Sequence, residues 1–301
     1  MNRKKQARRL SFSFAVFLVA VLFSQVLIGW VFAKYFPVYT EASWYPFFIS
    51  ALPNYLIGMP LFLFMTRKIP ESPLPGGERY TAGTVLRYAI IGIAISNLFA
   101  ILGQFLHTPF AERFGVDENI LEELIRNADV FSIVLFVVIL APIMEEWLFR
   151  RRFLNKALQF GKANAVVAGG LAFGLFHLNI PQFVYATALG IFWGMVYVRH
   201  RSFILVVVLH MITNAIGSLL MPWLAFQVNG GETIGGSFIL LMIVAGPVLL
   251  FRERRGFYAA MRDDTKESGK KNPSLIFNVG FFVYVLLVVA VVVGMATLVV
   301  N

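Results

Sequence analysis

The chain has 301 residues, of which 58% are hydrophobic and only 14% charged. Soluble domains are nearer half apolar and a quarter charged. At a mean hydropathy of +0.75 too few polar side chains exist to cover a water-soluble globule of this size. That excludes a soluble enzyme, a disordered chain and a disulfide-stapled secreted module. The absence of Cys removes thiolate nucleophiles and Cys-ligated metals as well. A formal charge of +10 would by itself suggest a nucleic-acid binder. The 31 Phe and the long Val, Leu and Ile runs point instead to a bilayer protein whose basic residues mark its cytoplasmic loops, with no nucleic-acid partner.

A helix needs about 20 mostly apolar residues to cross the hydrocarbon core. Nine such stretches are predicted: Phe12–Ala33, Trp44–Met65, Tyr88–Leu106, Val130–Phe149, Asn164–Ile180, Phe183–Val198, Ser202–Met221, Thr233–Phe251 and Phe277–Val300. The fold class expected is all-α, a polytopic bundle of eight to nine spans forming one membrane-embedded domain over residues 1–301. If one stretch is not a span, it is expected to be the eighth or ninth. The fifth and sixth are short, with only Pro181 and Gln182 between them. The segment Arg252–Ser274 reads as a polar linker and the helix after it as an addition. The stretch Leu74–Glu78 reads as a cytoplasmic turn.

With the N-terminus cytoplasmic, 23 of the 26 Lys and Arg lie on the inner side and only Lys34, Arg113 and Arg126 outside. The loop before the fourth span carries Glu112, Asp117, Glu118, Glu122, Glu123 and Asp129 and is expected outside, partly helical. The first apolar run is too long for a signal-peptide core and reads as a retained anchor.

Ionisable groups inside a membrane cost a few kcal/mol each, about 3 on insertion scales, so they mark function. Three segments hold nearly all of them. The fourth carries Pro142, Glu145, Glu146 and Arg150. Glu146 and Arg150 are four apart in the order that favours a helical ion pair, and Glu145 points about 100° away. One carboxylate is thus neutralised while the other stays free. The fifth segment carries Phe173 and His177, the seventh His210 and Asn214, each pair sharing a helix face. Taken singly, each has a plain alternative: interfacial acids, a packing histidine, an interhelical hydrogen-bond clamp. Phe173 carries little weight in so phenylalanine-rich a chain. His107 and His200 fall in loops and are expected to be solvated. Together, a carboxylate, two imidazoles and an amide are the parts of a hydrolytic site that needs no covalent nucleophile.

Glu145-Glu146-x-x-x-Arg150, Phe173-x-x-x-His177 and His210-x-x-x-Asn214, in this order and each in an apolar segment, resemble the three motifs of the CPBP intramembrane proteases. That family joins Rce1-type CAAX endopeptidases with bacterial Abi proteins of bacteriocin processing and immunity. The resemblance covers about 130–221. It implies that Glu145, assisted by His177, activates water, that His210 and Asn214 stabilise the oxyanion, and that Glu146, Arg150 and Phe173 support them. It also implies a metal alternative, in which Glu145, His177 and His210 hold zinc; three ligands plus water is the usual catalytic count. No His-Glu-x-x-His helix is present, and catalysis without a cofactor is the preferred expectation.

The geometry imposes a condition. Glu145 is five residues from Arg150, roughly 8 Å of rise, whereas His177 is some 13 residues into its segment, roughly 20 Å. They meet only if the fourth helix continues deep, or the fifth starts below the surface; the resemblance implies a cavity open to the cytoplasm. The reading is an endopeptidase of the cell membrane acting on membrane-associated, prenylated or bacteriocin-like peptides, with the bilayer and a peptide or protein substrate as partners. The alternatives are a non-catalytic immunity or scaffold protein of the same fold, and a transporter using the polar groups as a proton relay, for which no internal repeat is found.

Overall fold

The computed structural model describes residues 2–72, 76–115, 127–262 and 272–300, with side chains to 297. Asp117, Glu118, Glu122, Glu123, Arg126 and part of the Leu74–Glu78 turn lie outside the described residues. Among the described residues there are helices and no strands. Eight helices are long and apolar enough to cross a membrane: α1 (Arg3–Tyr35), α2 (Tyr45–Thr66), α3 (Ala82–Phe114), α4 (Val130–Phe160), α6 (Ile180–His200), α7 (Phe203–Gln227), α8 (Gly231–Met261) and α9 (Val279–Val300). Between α4 and α6 lies α5 (Lys162–Leu175), which has only 14 residues. The protein is therefore a polytopic helical membrane protein. The segment that fails to span is the fifth, not the eighth or ninth.

Local chemistry sets the helix ends. Asn2, Asp129, Asn179 and Ser202 each accept a backbone N–H of the first turn that follows, filling donors a helix start leaves orphaned. Thr81 and Thr84 form a reciprocal capping box at the start of α3. Gly115 ends α3 in the left-handed conformation. The carboxyl of Asp129, which lies before α4, is held at about 2 by hydroxyl hydrogen bonds from Ser132 and then Ser43. Several helices outrun their apolar cores. The expected linker from Arg252 is helical as far as Met261, with Phe257 buried, so the connection begins at Arg262.

In lipid, helices gain little from hiding apolar surface and associate through close packing. Gly170 on α5 meets Gly190 on α6, while Gly174 lies against Thr187 and Phe183 and Gly194 against Val166. A Cβ on Gly190 would lie 2.9 Å from the Cα of Gly170, so only glycine permits this approach. A second centre is aromatic. Phe14 of α1 packs with Phe62 of α2, Phe149 and Phe153 of α4 and Tyr284 of α9, at ring separations of 5.1 to 5.5 Å. The last helix is thus part of the core rather than an addition.

The basic residues gather at one end of the bundle. There Arg199 pairs with Glu78 and Glu253, Arg87 pairs with Glu253, and Lys156 donates to the carbonyl of Ile69.

Candidate active site

Helix α4 is irregular for a reason visible in its sequence. Residues 133–140 are π-helical, α-helix resumes over Ala141–Glu146, and 147–154 is π-helical again. In the π register the carbonyl of residue 137 would bond to the N–H of residue 142. That residue is proline and has no N–H. The Val137 carbonyl instead accepts from Nδ2 of Asn214 on α7, at 2.9 Å. Pro142 thereby creates the acceptor that orients Asn214. Such bulges recur at functional sites.

The helix also runs on past its arginines to Phe160, and Gly161, at φ 98°, turns the chain into α5. Glu145 lies 16 residues before Gly161 and His177 lies 16 after it. An antiparallel hairpin with equal arms brings the two to one level. This meets the condition set by the sequence: α4 continues beyond Arg152, and the hairpin tip extends past the level where the sequence suggests the membrane ends.

His177 is not mid-helix, as its apolar surroundings suggest. It sits on the turn after α5 ends at Leu175, followed by Leu178 at φ 57°, a left-handed conformation that is uncommon for a branched side chain. A helix ending inside a membrane leaves carbonyls that no water will satisfy. Here each finds a donor. Ala172 accepts from Phe176 N–H and from the Tyr284 hydroxyl. Phe173 accepts from His177 Nδ1 at 2.9 Å, and Gly174 and Leu175 accept from the N–H groups of His177 and Leu178. Asn179 Nδ2 closes the turn on the carbonyl of His177. Because a carbonyl only accepts, the neutral His177 ring carries its proton on Nδ1 and leaves Nε2 as a lone pair.

Glu146 is fully buried and pairs with Arg150, Nε to Oε2 2.8 Å, the latter only 1% exposed. The same carboxylate accepts from Nδ1 of His210 at 3.1 Å. Nε2 of His210 lies 3.9 Å from Glu145 Oε2. His210 therefore bridges the two carboxylates. Glu145 is the one left without an arginine. Trp193 covers one face of the His210 ring at 4.4 Å. Phe173 deserves more weight than its abundance suggested: it is buried, and it sits edge-on to His177 and to His210 and beneath the Arg150 guanidinium. Glu145, His177, His210 and Asn214 all line one cavity of about 490 Å³. Sequence reasoning passed over Tyr55, Gln182 and Tyr185, which line it too; no spacing rule links them to the motifs. His107 and His200 are buried rather than solvated.

The donor types would suit zinc, since a ligating histidine commonly donates its other N–H to a carbonyl or carboxylate. Their placement does not: among the described residues no three His, Asp or Glu groups come together as a metal cluster. No step below runs through a metal.

Residues 127–216 match the family described as type II CAAX prenyl endopeptidase Rce1-like. Over that stretch the chain is similar to this family of membrane proteases. Among its relatives, YdiL of Bacillus subtilis (strain 168), a membrane peptidase by its name, is 24% identical over 167 residues, 54% of this chain and 66% of YdiL. MroQ of Staphylococcus aureus (strain USA300), named as a membrane-embedded CAAX protease, is 21% identical over 137 residues, 43% of this chain and 56% of MroQ. The chain thus spans less than two thirds of the length of these relatives. No solved structure matches it. All three motifs lie within the stretch matched to the Rce1-like family.

Proposed function

We propose that the protein is an intramembrane endopeptidase of the cell membrane, hydrolysing peptide bonds of membrane-associated peptides with water activated by its own side chains. The observation that carries this reading is the fixed state of His177. With its Nδ1 proton on the Phe173 carbonyl, the neutral imidazole offers Nε2 as an acceptor, and it lines the same cavity as the carboxylate without an arginine, Glu145. Water held between them loses a proton to Glu145 as its oxygen attacks the substrate carbonyl carbon. The second N–H of the Asn214 amide, the first being bound to Val137, is free to donate to the carbonyl oxygen as it becomes negative. Neutral His210, its Nδ1–H held by Glu146, takes that proton from Glu145 at Nε2 and becomes the imidazolium, which donates from Nε2. The proton then passes to the leaving nitrogen as the C–N bond breaks. Glu146 and Arg150 hold His210 in place and touch no substrate.

Comparative membrane proteomics of wild type and Glu145→Gln tests this. Trimmed peptides present in wild type should vanish in the variant, with insertion unchanged. A variant that still supports trimming and the cellular phenotype would point to a binding protein of the same fold. Metal analysis is a separate check: stoichiometric zinc that is lost in His177→Ala would replace this mechanism with a metal-assisted one.

A further inference from the structure

We infer that Trp193, which lies outside the three motifs, is a positioning residue of this site: its indole face holds the His210 ring in the plane that aims Nε2 at Glu145. The inference rests on the endopeptidase reading for its effect on turnover, but not for the placement of the ring.

Hydrogen bonds alone do not secure the aim of His210. Nδ1 donates to Glu146 at 3.1 Å, whereas Nε2 lies 3.9 Å from Glu145 Oε2, beyond hydrogen-bond range. One bond leaves the imidazole free to rock about its Cβ–Cγ axis, and rocking carries Nε2 away from Glu145. Proton transfer tolerates little of that, since misplacement by about 1 Å costs about 10²-fold in rate. Packing must therefore fix the plane. Trp193 lies over one ring face, with centroids 4.4 Å apart and planes 31° apart. Phe173 stands edge-on to the same ring at 5.8 Å and meets the indole at 6.1 Å. A ring rocking out of its plane would drive an edge into the indole.

The indole itself is held without a hydrogen bond. Trp193 is only 1% exposed, and among the described residues its Nε1–H finds no acceptor. Burying that donor unpaired is destabilising, so stability alone does not account for tryptophan at this position. Its backing comes from α3. A Cβ at Gly92 would stand 3.8 Å from Nε1 and 3.6 Å from Oγ1 of Thr213, the residue three past His210 on α7. Helix α6 thus presents Trp193 between α3 and the part of α7 that carries His210. The adjacent Phe192 is equally buried but packs elsewhere, against Tyr88 of α3 and Phe257 of α8.

Phe192 supplies the control. Turnover is measured on a peptide that wild type cuts and Glu145→Gln does not. Trp193→Leu removes the face and should lower trimming per folded molecule about 10²-fold, in kcat rather than KM. Trp193→Phe keeps an aromatic face and should recover part of that loss. Phe192→Leu removes a buried ring from the next position; it should lower melting temperature and leave trimming per folded molecule unchanged. Equal effects of Trp193→Leu and Phe192→Leu on trimming, or a change in KM alone, overturn the positioning role. Where Trp193→Leu is not inserted, Trp193→Phe against Phe192→Leu makes the same comparison. A second measurement needs no substrate. In detergent-purified protein with isotope-labelled histidine, the ring protons of His210 are assigned by their absence in His210→Asn. Their NMR signals should be shifted upfield by the indole and should lose that shift in Trp193→Leu. Signals that stay where they are overturn the inference. If no peptide is cut by wild type and spared by Glu145→Gln, the endopeptidase reading fails, while the His210 signals still decide how the ring is held.

Discussion

Two clusters in this molecule are built from the same residue types and do opposite things. At the basic end, Arg199 engages Glu78, Glu253 and the Tyr88 hydroxyl at 2.7 to 2.9 Å. His200 spends both ring nitrogens, Nδ1 on the Glu78 carbonyl and Nε2 on the Tyr88 hydroxyl. Nothing in that group is left to react, and it ties α3, α6 and α8 together with the segment before α3. In the cavity, Arg150 satisfies one carboxylate only, and His177 spends one nitrogen only. What separates a clamp from a reactive centre is unspent hydrogen-bonding capacity in a space a substrate can enter. Glutamate, arginine and histidine alone do not tell them apart.

The sharpest way to break this comparison is to remove one histidine from each cluster. His177→Ala should lower peptide trimming by about 10²–10⁴-fold, whereas His200→Ala should leave turnover near wild type and lower thermal stability. Equal loss of trimming in both would erase the distinction. Next in size is Arg150→Met. It strands the buried Glu146 charge, and breaking a buried pair costs about 3–5 kcal/mol. The protein should lose most of its heat resistance in detergent, and the double variant Glu146→Gln with Arg150→Met should recover much of it. Smaller still is Arg199→Ala. Its partners are partly exposed, so the loss should be about 1–2 kcal/mol, read as a lower melting temperature with trimming per folded molecule retained.

The motif residues were legible in the sequence because they are polar in an apolar background, and because i,i+4 spacing survives any helix boundary error. Their mutual position was less so. The hairpin about Gly161 depends on α4 continuing through Arg150–Arg152, and charged residues normally signal a helix leaving the membrane. Here Arg150 is buried by Glu146, which hydropathy does not register. The short α5 was misjudged for a related reason. Ala, Gly and Phe continue the apolar run of Asn164–Ile180 smoothly across a turn that hydrogen bonds, not polarity, create. Pro142 was visible in the sequence, but its effect on Asn214 needs the π register, which spacing alone does not reveal. The small residues Gly170, Gly174, Gly190 and Gly194 were readable as close-packing positions and were passed over.

The finest test concerns α9, which lies outside the matched core yet reaches the site. The Tyr284 hydroxyl donates to the Ala172 carbonyl at 3.3 Å, in the turn just before the one that fixes the His177 tautomer. Tyr284→Phe keeps the ring against Phe14 and removes only that donor. Ala172 still accepts from Phe176, so no carbonyl is orphaned and the cost should be about 1 kcal/mol or less. If the hydroxyl merely braces the fold, melting temperature falls slightly and kcat is unchanged. If it positions the turn, kcat falls about threefold, near 0.7 kcal/mol at 1.4 kcal/mol per decade, with KM unchanged. The second outcome is expected, because the hydroxyl binds the carbonyl one residue before the Phe173 carbonyl that holds His177 Nδ1.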